Sequence, residues 1–256
     1  MKISLITVSF NSKDTIESTI ESVLGQSYED IEYILVDSCS DDGTREIINK
    51  YRDKISKIII EKDDGIYDAM NKGIAASTGD VVGIINSDDI FSSPLAIEKV
   101  SHSLQANTNA DACLTNVIFF DGNTRNPIFK RHVSPKYFRP WQLKFGWMPP
   151  HPGIFFRRKI YLEFGNYDQD YSIAADYDFC LRVFLVNKIK FLYLDTYSVY
   201  MREGGISTKN FISNYVITKE ILKACKKNGI YTNFFLILSR LPIKFFLNLL
   251  KKRHLE

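Results

Sequence analysis

The sequence predicts an α/β fold built on a mostly parallel sheet, and two observations carry that prediction. Short, β-branched apolar runs alternate with amphipathic stretches through the first hundred residues. Each of these stretches is long enough for a crossover helix, so successive strands run parallel with helices packed on the sheet.

The elements follow in order. "ISLITVSF" (3–10) is short, apolar and β-branched and reads as a buried strand. "NSKDTIESTIESVLGQS" places Ile16, Ile20, Val23 and Leu24 at helical spacing, with acids near its start. "IEYILVD" (31–37) is the second strand, and "DDGTREIINKYRDK" the second helix, with Ile47, Ile48 and Tyr51 on one face. "ISKIIIE" (55–61) is the third strand. In "GIYDAMNKGIAAST", Ile66, Ala69, Met70, Gly73 and Ile74 share one helical face, and "GDVVGIIN" (79–86) is the fourth strand.

In parallel sheets, ligands bind beyond the carboxyl ends of the strands. The polar residues there are Asn11 after the first strand, Asp37 after the second, and the pair Asp88–Asp89 in "INSDDIF" after the fourth. All are expected on one rim. Asp is also a favoured helix cap, and Asp41 and Asp42 in "SCSDDGT" read as helix-start residues. One cap needs one acceptor, so two adjacent acids leave a carboxylate over. Neighbouring carboxylates repel unless a cation relieves them, and a hard divalent cation takes such oxygens together with water and phosphate. The first strand–helix turn, "SFNSKD", lacks the glycines of GxGxxG, and no GxxxxGK[ST] occurs. A nucleotide on this rim is therefore held by carboxylates and a metal.

The chain has 256 residues, 45% hydrophobic and 25% charged, enough for one large domain with an appendage. A net charge of +3 does not by itself imply a nucleic-acid partner. Cys39, Cys113, Cys180 and Cys225 are far apart with no CxxC, which argues against a zinc site or disulfide framework and fits reduced cytosolic thiols. "MKISLITVSF" lacks the apolar core and cleavage site of a signal peptide. No apolar stretch reaches the ~20 residues of a membrane span.

"TVSFN", "ILVDSCSDDGT", "DDGIYDAMNKGIAASTGDVVGIINSDD" and "HPGIFFRRKIYLEFGNYDQDYSIAADYDFCLR" resemble family 2 glycosyltransferases of the GT-A fold, from residue 2 to about residue 208. Within that family the chain is most similar to the bacterial enzymes that build O-antigen, capsule or exopolysaccharide. The resemblance implies an inverting hexosyltransferase that uses a UDP-sugar donor and Mn2+ or Mg2+. It implies a lipid-linked glycan acceptor at the inner face of the cell membrane, and a cytoplasmic, peripherally attached protein. It implies a donor site formed by Val8, Phe10, Asn11, Asp37, Asp64, Asp68, Lys72, Asn86, Ser87, Asp88 and Asp89. In that set Asp37 meets the uracil, Asp64, Asp68 and Lys72 lie beside base and ribose, Asp88 holds the metal, and Asp89 lies near the ribose or sugar. Asn86 opens the DxD-like "NSDD" where the family has Asp, a departure common in these enzymes. Asp176 matches the acid of the family's "ED" motif, with Ala175 in place of Glu, and is implied as the general base.

In the second half, "PLAIEKVSHSLQ" reads as a helix with proline in its first turn. "DACLTNVIFF" reads as a strand followed by the turn "DGN". "KRHVSPKYFRPWQLKFGWMPPHPG" is an aromatic, basic, proline-rich connection in which Trp141 and Trp147 are either core or sugar-facing. "SIAADYDFCLRVFL" has Ala175, Phe179, Arg182 and Val183 at helical spacing, and Asp178 reads as a first-turn acid favoured by the helix dipole. His151 and Arg158 are candidates for the acceptor or diphosphate, and His151 also reads as a structural hydrogen-bonding residue. Arg202, Gly205 and Ser207 in "MREGGIST" read either as a loop closing on the diphosphate or as an ordinary glycine turn.

The expected domain covers residues 1–210, with a nucleotide-sugar half (1–100) and an acceptor half (101–210). A helical tail spans 211–256. In that tail Arg240, Lys244, Asn248, Lys251 and Lys252 fall on one face, and Phe245, Phe246, Leu249 and Leu250 on another. Such a helix lies on an anionic leaflet, or packs on the domain or on a second subunit of a homodimer. A nucleotidyltransferase wants a glycine- and base-rich first loop that "SFNSKD" does not supply. A degenerate membrane-surface scaffold would be expected to have lost Asp37, Asp88 and Asp176, which are all present.

Overall fold

The computed structural model describes residues 1–121, 128–204 and 211–239. Strands β1 (Ile3–Ser9), β2 (Ile31–Asp37), β3 (Lys57–Ile60) and β4 (Val81–Asn86) are parallel in the order β3-β2-β1-β4. All seven residues of β1 are buried, which is why this run carries apolar side chains on both faces.

Helices α1 (Ile16–Leu24), α2 (Thr44–Lys50) and α3 (Ile66–Ala76) are the crossovers. Alternation along the strands divides the core. Leu5, Tyr33 and Leu35 meet Ile16, Ile20 and Ile48 on one face. Ile6, Val8, Ile34 and Val36 meet Ala69, Met70 and Ile74 on the other. Gly73 lets α3 sit directly on β1, since a Cβ there would lie 2.4 Å from Ile6 Cγ2.

The second half widens the sheet with mixed directions. After β5 (Ile90–Phe91) and α4 (Ala96–Ala106), β6 (Ala112–Asp121) pairs with β7 (Ile128–Val133), β8 (Ile154–Arg157) and β9 (Phe191–Arg202). The path is β3-β2-β1-β4-β8-β6-β9-β5, with β7 on β6. β8 is antiparallel to β4, so it begins at the end where β4 finishes. Helices α5 (Arg158–Phe164) and α6 (Ala175–Cys180) complete this half, and α6 widens into a π-turn over Leu181–Val186.

Two parts add detail to the sequence reading. The connection at 130–153 is not wholly loop: it contains the end of β7 and short 3-10 turns at Pro140–Phe145 and His151–Gly153. Trp141 is 55% exposed and stacks edge-on against Phe145, so it is not core. In addition, α7 (Phe211–Lys227) and α8 (Phe234–Leu238), in the first part of the expected helical tail, join the main core through Ile221, Ala224, Cys225 and Ile237, the packing on the domain that the sequence left open. The turn "DGN" beyond Asp121, and Gly205, Ser207 and the tail from Arg240, lie outside the described residues.

Candidate active site

The register places the polar strand ends side by side. Ser9 pairs with Asp37, and Val8 with both Val36 and Asn86, so β1, β2 and β4 finish level on one edge. Asn11 leaves β1 in a left-handed conformation (φ 48°), which Asn tolerates better than most residues. Its Oδ1 accepts from Asp41 N–H at 3.1 Å, and its own N–H donates to Ser40 Oγ at 2.9 Å. Phe10, 63% exposed, presents its ring at this edge. Ser87 joins Ser12 by a 2.8 Å hydroxyl contact, tying the β4 turn to the β1 turn.

Asp37 is fully buried. Its oxygens accept from Ser9 Oγ (2.7 Å), Ser40 N–H (2.8 Å) and Ser40 Oγ (2.6 Å). These bonds hold the turn after β2 and use Oδ2 twice and Oδ1 once, which leaves Oδ1 one further acceptor position at this edge. Asp64 is exposed, and its N–H donates to Asp68 Oδ2 at 3.1 Å. Lys72 pairs with Asp68 at 3.1 Å and Glu61 at 3.3 Å. Burial pushes the Asp68 carboxyl up, but the Asp64 amide, Lys72 and Gln169 outweigh it and hold it below the usual range.

Asp88 is half-buried, whereas Asp89 is only 1% exposed. Asp89 Oδ1 accepts from Arg202 N–H at 2.9 Å and Oδ2 from Asn86 Nδ2 at 3.0 Å. Burial, then the Asp88 charge, raise its carboxyl well above the usual value. Asp89 is thus a clip between the turn after β4 and the end of β9.

A divalent cation is tested by the oxygens present. Among the described residues, no three His, Cys, Asp or Glu converge as a cage. Asn86 Oδ1 is buried with no hydrogen-bond partner among the described residues, one position before Ser87–Asp88. That donor set fits a hard cation whose shell is completed by phosphate and water, and does not fit a cage made by protein alone.

The opposite wall is built by the second half. The His151–Gly153 turn precedes β8 and packs against β4 near its carboxyl end. Asp176 opens α6. Tyr67, at the start of α3 on the same edge, brings Oη to 2.5 Å from the Ile173 carbonyl and 3.2 Å from Asp176 Oδ1. Burial and the adjacent Asp176 keep the Tyr67 phenol protonated. Burial also raises the Asp176 carboxyl, while His151, the Tyr177 amide and Tyr67 oppose the rise. His151 Nε2 meets Tyr167 Oη at 2.7 Å, and burial lowers its basicity against the pull of Asp176.

Arg158 is the clear miss. Its Nε donates to the Gly79 carbonyl at 3.1 Å and its N–H to Asp80, at the start of β4. That is the far end of the strand, because β8 runs antiparallel and carries residue 158 away from the rim. Asp178 is structural, as read: it is buried and pairs with Arg182 at 2.9 Å. Arg202 reaches the rim and lays its guanidinium over Phe120 at 5.0 Å. Tyr67 and Tyr167 were not found from sequence, because aromatic residues in helical or irregular segments read first as core.

The fold recurs in known proteins. S. aureus TarS residues 1–349, solved with UDP-GlcNAc, superposes with a TM-score of 0.67 at 19% identity, covering 88% of this chain and 66% of that one. This chain thus spans a little less than two thirds of that fragment. Glucosyl-3-phosphoglycerate synthase from Mycobacterium tuberculosis, solved with Mn2+, UDP and phosphoglyceric acid, gives 0.62 at 19% identity over 91% of this chain and 80% of that one. These likenesses establish the GT-A fold. In sequence, an uncharacterized glycosyltransferase of M. tuberculosis is 32% identical over 192 residues, covering 72% of this chain and 69% of the relative. A putative teichuronic acid biosynthesis glycosyltransferase of Bacillus subtilis is 41% identical over 90 residues, covering 34% of this chain and 36% of the relative. The family described as Glycosyl transferase family 2 matches residues 4–185, and this chain is a glycosyltransferase belonging to that family.

Proposed function

We propose that this chain moves a sugar from a UDP-sugar to a hydroxyl of a lipid-linked glycan, with inversion, in the assembly of a surface polysaccharide. The observation that carries the reading is the hydrogen bond from Tyr67 to Asp176, which ties a partly desolvated carboxylate to the start of α3, on the edge where β4 ends at Asn86 and the Ser87–Asp88 turn follows. The relatives' names support the setting, with teichuronic acid biosynthesis in one and PGL/p-HBAD biosynthesis in another. Mn2+ accompanies GDP-Man in one structural neighbour and UDP in another.

In this reading Asp88, with Asn86 beside it, holds Mn2+ or Mg2+. When bound, such a cation neutralises the diphosphate leaving group. Val8, Phe10 and Asn11 line the nucleotide side, where the Phe10 ring offers a stacking face to the base and Asp37 keeps the Ser40 turn in place. Asp64 and Lys72 border the base and ribose. Asp176 accepts the proton of the attacking hydroxyl, and its raised basicity suits that task. The hydroxyl attacks C1 from the face opposite the diphosphate, so the anomeric centre inverts in one displacement. His151, kept neutral by burial, orients the acceptor side through Tyr167. The tail beyond residue 239 holds the enzyme at an anionic membrane face, close to its lipid-borne acceptor. No helix among the described residues is long and apolar enough to cross a membrane.

The test is a screen of nucleotide sugars for metal-stimulated turnover, repeated with Asp176→Asn. The variant should bind UDP and Mn2+ as the wild type does and lose transfer. Turnover at the wild-type rate removes Asp176 as the base.

A further inference from the structure

Three consecutive backbone amides just ahead of Asp176 are held by one carboxylate from a distant helix. Glu220, on α7, accepts from Ser172 N–H at 2.7 Å through Oε1, and from Ile173 and Ala174 N–H at 2.9 Å each through Oε2. Ala174 is the residue that caps α6, and its side chain has no acceptor to offer the helix start. Inside the helix Tyr177 N–H donates to Asp176 Oδ1 at 2.8 Å instead, and Glu220 takes the three amides that lead into it. Bonds from N–H groups to an ionised carboxylate are roughly twice as strong as neutral ones, so a triply bonded turn is stiff.

The same helix, with the residue that follows it, secures both flanks of the segment. Lys223 Nζ donates to the Asp170 carbonyl at 3.0 Å and lies 4.7 Å from the centre of the Tyr171 ring. Lys227 pairs with Asp168, and Asn228 Nδ2 donates to Asp178 Oδ1 at 2.9 Å. Ile221, Ala224 and Cys225 are buried on the inner face of α7, which prevents Glu220 from following a moving loop. Glu220 lies beyond the residues matched by the family, which end at 185.

We propose that Glu220 is a positioning residue for sugar transfer: it fixes the Ser172–Ala174 turn and so aims the Asp176 carboxylate at the acceptor hydroxyl. The inference rests on Asp176 acting as the base. A carboxylate displaced by about 1 Å from its working geometry costs on the order of a hundredfold in rate. Ground-state binding of the nucleotide is expected to persist when this turn loosens, because Val8, Phe10 and Asn11 lie on β1 and the turn after it, and the Ser172–Ala174 turn meets the donor half through the Tyr67 hydroxyl on the Ile173 carbonyl.

The experiment compares Glu220→Gln, Glu220→Ala and Asp176→Asn in the full chain, using UDP with Mn2+ for affinity and the UDP-sugar that the wild type turns over for rate. The Glu220 variants should lose roughly ten- to a hundredfold in kcat with UDP affinity unchanged. The peptide holding Ser172–Ala174 should exchange its amide hydrogens faster, while residues 84–91 stay protected. Adding Glu220→Ala to Asp176→Asn should cause no further loss. Faster exchange at 172–174 with wild-type kcat overturns the proposal, as does a parallel fall in UDP affinity and kcat. If Asp176→Asn itself turns over normally, the base assignment fails and this inference with it. An inactive Asp176→Asn beside a fully active Glu220→Gln rejects Glu220 alone. Should Glu220→Ala fail to fold, Glu220→Gln carries the test, since it keeps the side chain's shape and one acceptor oxygen.

Discussion

The backbone N–H of Arg202 donates to Asp89 Oδ1 at 2.9 Å, although 113 residues separate the two in sequence. The other oxygen of Asp89 takes Asn86 Nδ2, so one buried carboxylate joins the end of β9 to the turn that carries Asp88. Asp89→Ala leaves a buried amide and a side-chain N–H without their acceptor, at about 1–3 kcal/mol for each group. For a chain of this size, each kcal/mol lowers Tm by roughly 2–4 °C. Thermal unfolding without ligand checks this, and an unchanged Tm refutes the clip.

Asp88→Ala is predicted to act differently from Asp89→Ala. UDP with Mn2+ should raise the Tm of the wild type, and Asp88→Ala should abolish the metal-dependent part of the rise while leaving the ligand-free Tm close to wild type. An equal metal-dependent shift in the variant rules out Asp88 as the metal ligand.

The pH dependence of transfer follows from Asp176. Burial raises its carboxyl above the ordinary 3.8, so the folded chain holds this proton more tightly than the unfolded chain does. Its contribution to stability is therefore full below pH 3.8 and is lost as pH rises through the folded value. Activity runs the other way, because only the ionised base accepts a proton. The acid limb of kcat is expected above the usual carboxylate range, and a limb at or below 3.8 contradicts the assignment.

Glu32 predicts the opposite sign for stability. Burial pushes its carboxyl up, but Ser4, Thr78 and Lys2 outweigh that and bring it down from 4.5 to about 2. Its oxygens accept from Ser4 Oγ at 2.5 Å, Thr78 N–H at 2.7 Å and Lys2 Nζ at 3.0 Å, joining the starts of β1, β2 and β4. The stability it contributes is present above pH 4.5 and is lost as pH falls toward about 2. Glu32→Gln should lower Tm at neutral pH and flatten this part of the acid-unfolding curve; an unaltered curve rejects the account.

Gly73→Ala tests the contact between α3 and β1. In an exposed helix, this change gains about 1 kcal/mol from propensity. Here the new Cβ would meet Ile6 Cγ2 at 2.4 Å, and overpacking costs about 1–3 kcal/mol. A net fall in Tm is expected, and a rise shows that the helix can shift.

Much of this architecture was legible in the residues because its causes are local. The boundaries of β2 match its apolar run, and β1 and β4 lie within theirs, because a strand buried on both faces leaves a continuous apolar signature. Alternating strand and helix likewise determined that Asn11, Asp37 and Asn86–Asp89 share an edge, since parallel crossovers leave every strand end on the same side. Pairing partners decided the rest. Only the antiparallel insertion of β8 sends Arg158 away from the rim and His151 onto it. Asp88 and Asp89 are neighbours of one residue type, yet one is half-buried and the other is sealed beneath Arg202. Glu220 gives no sign in sequence of the amides it holds. A side chain's role depends on which distant donors fold against it, and neither composition nor periodicity records those contacts.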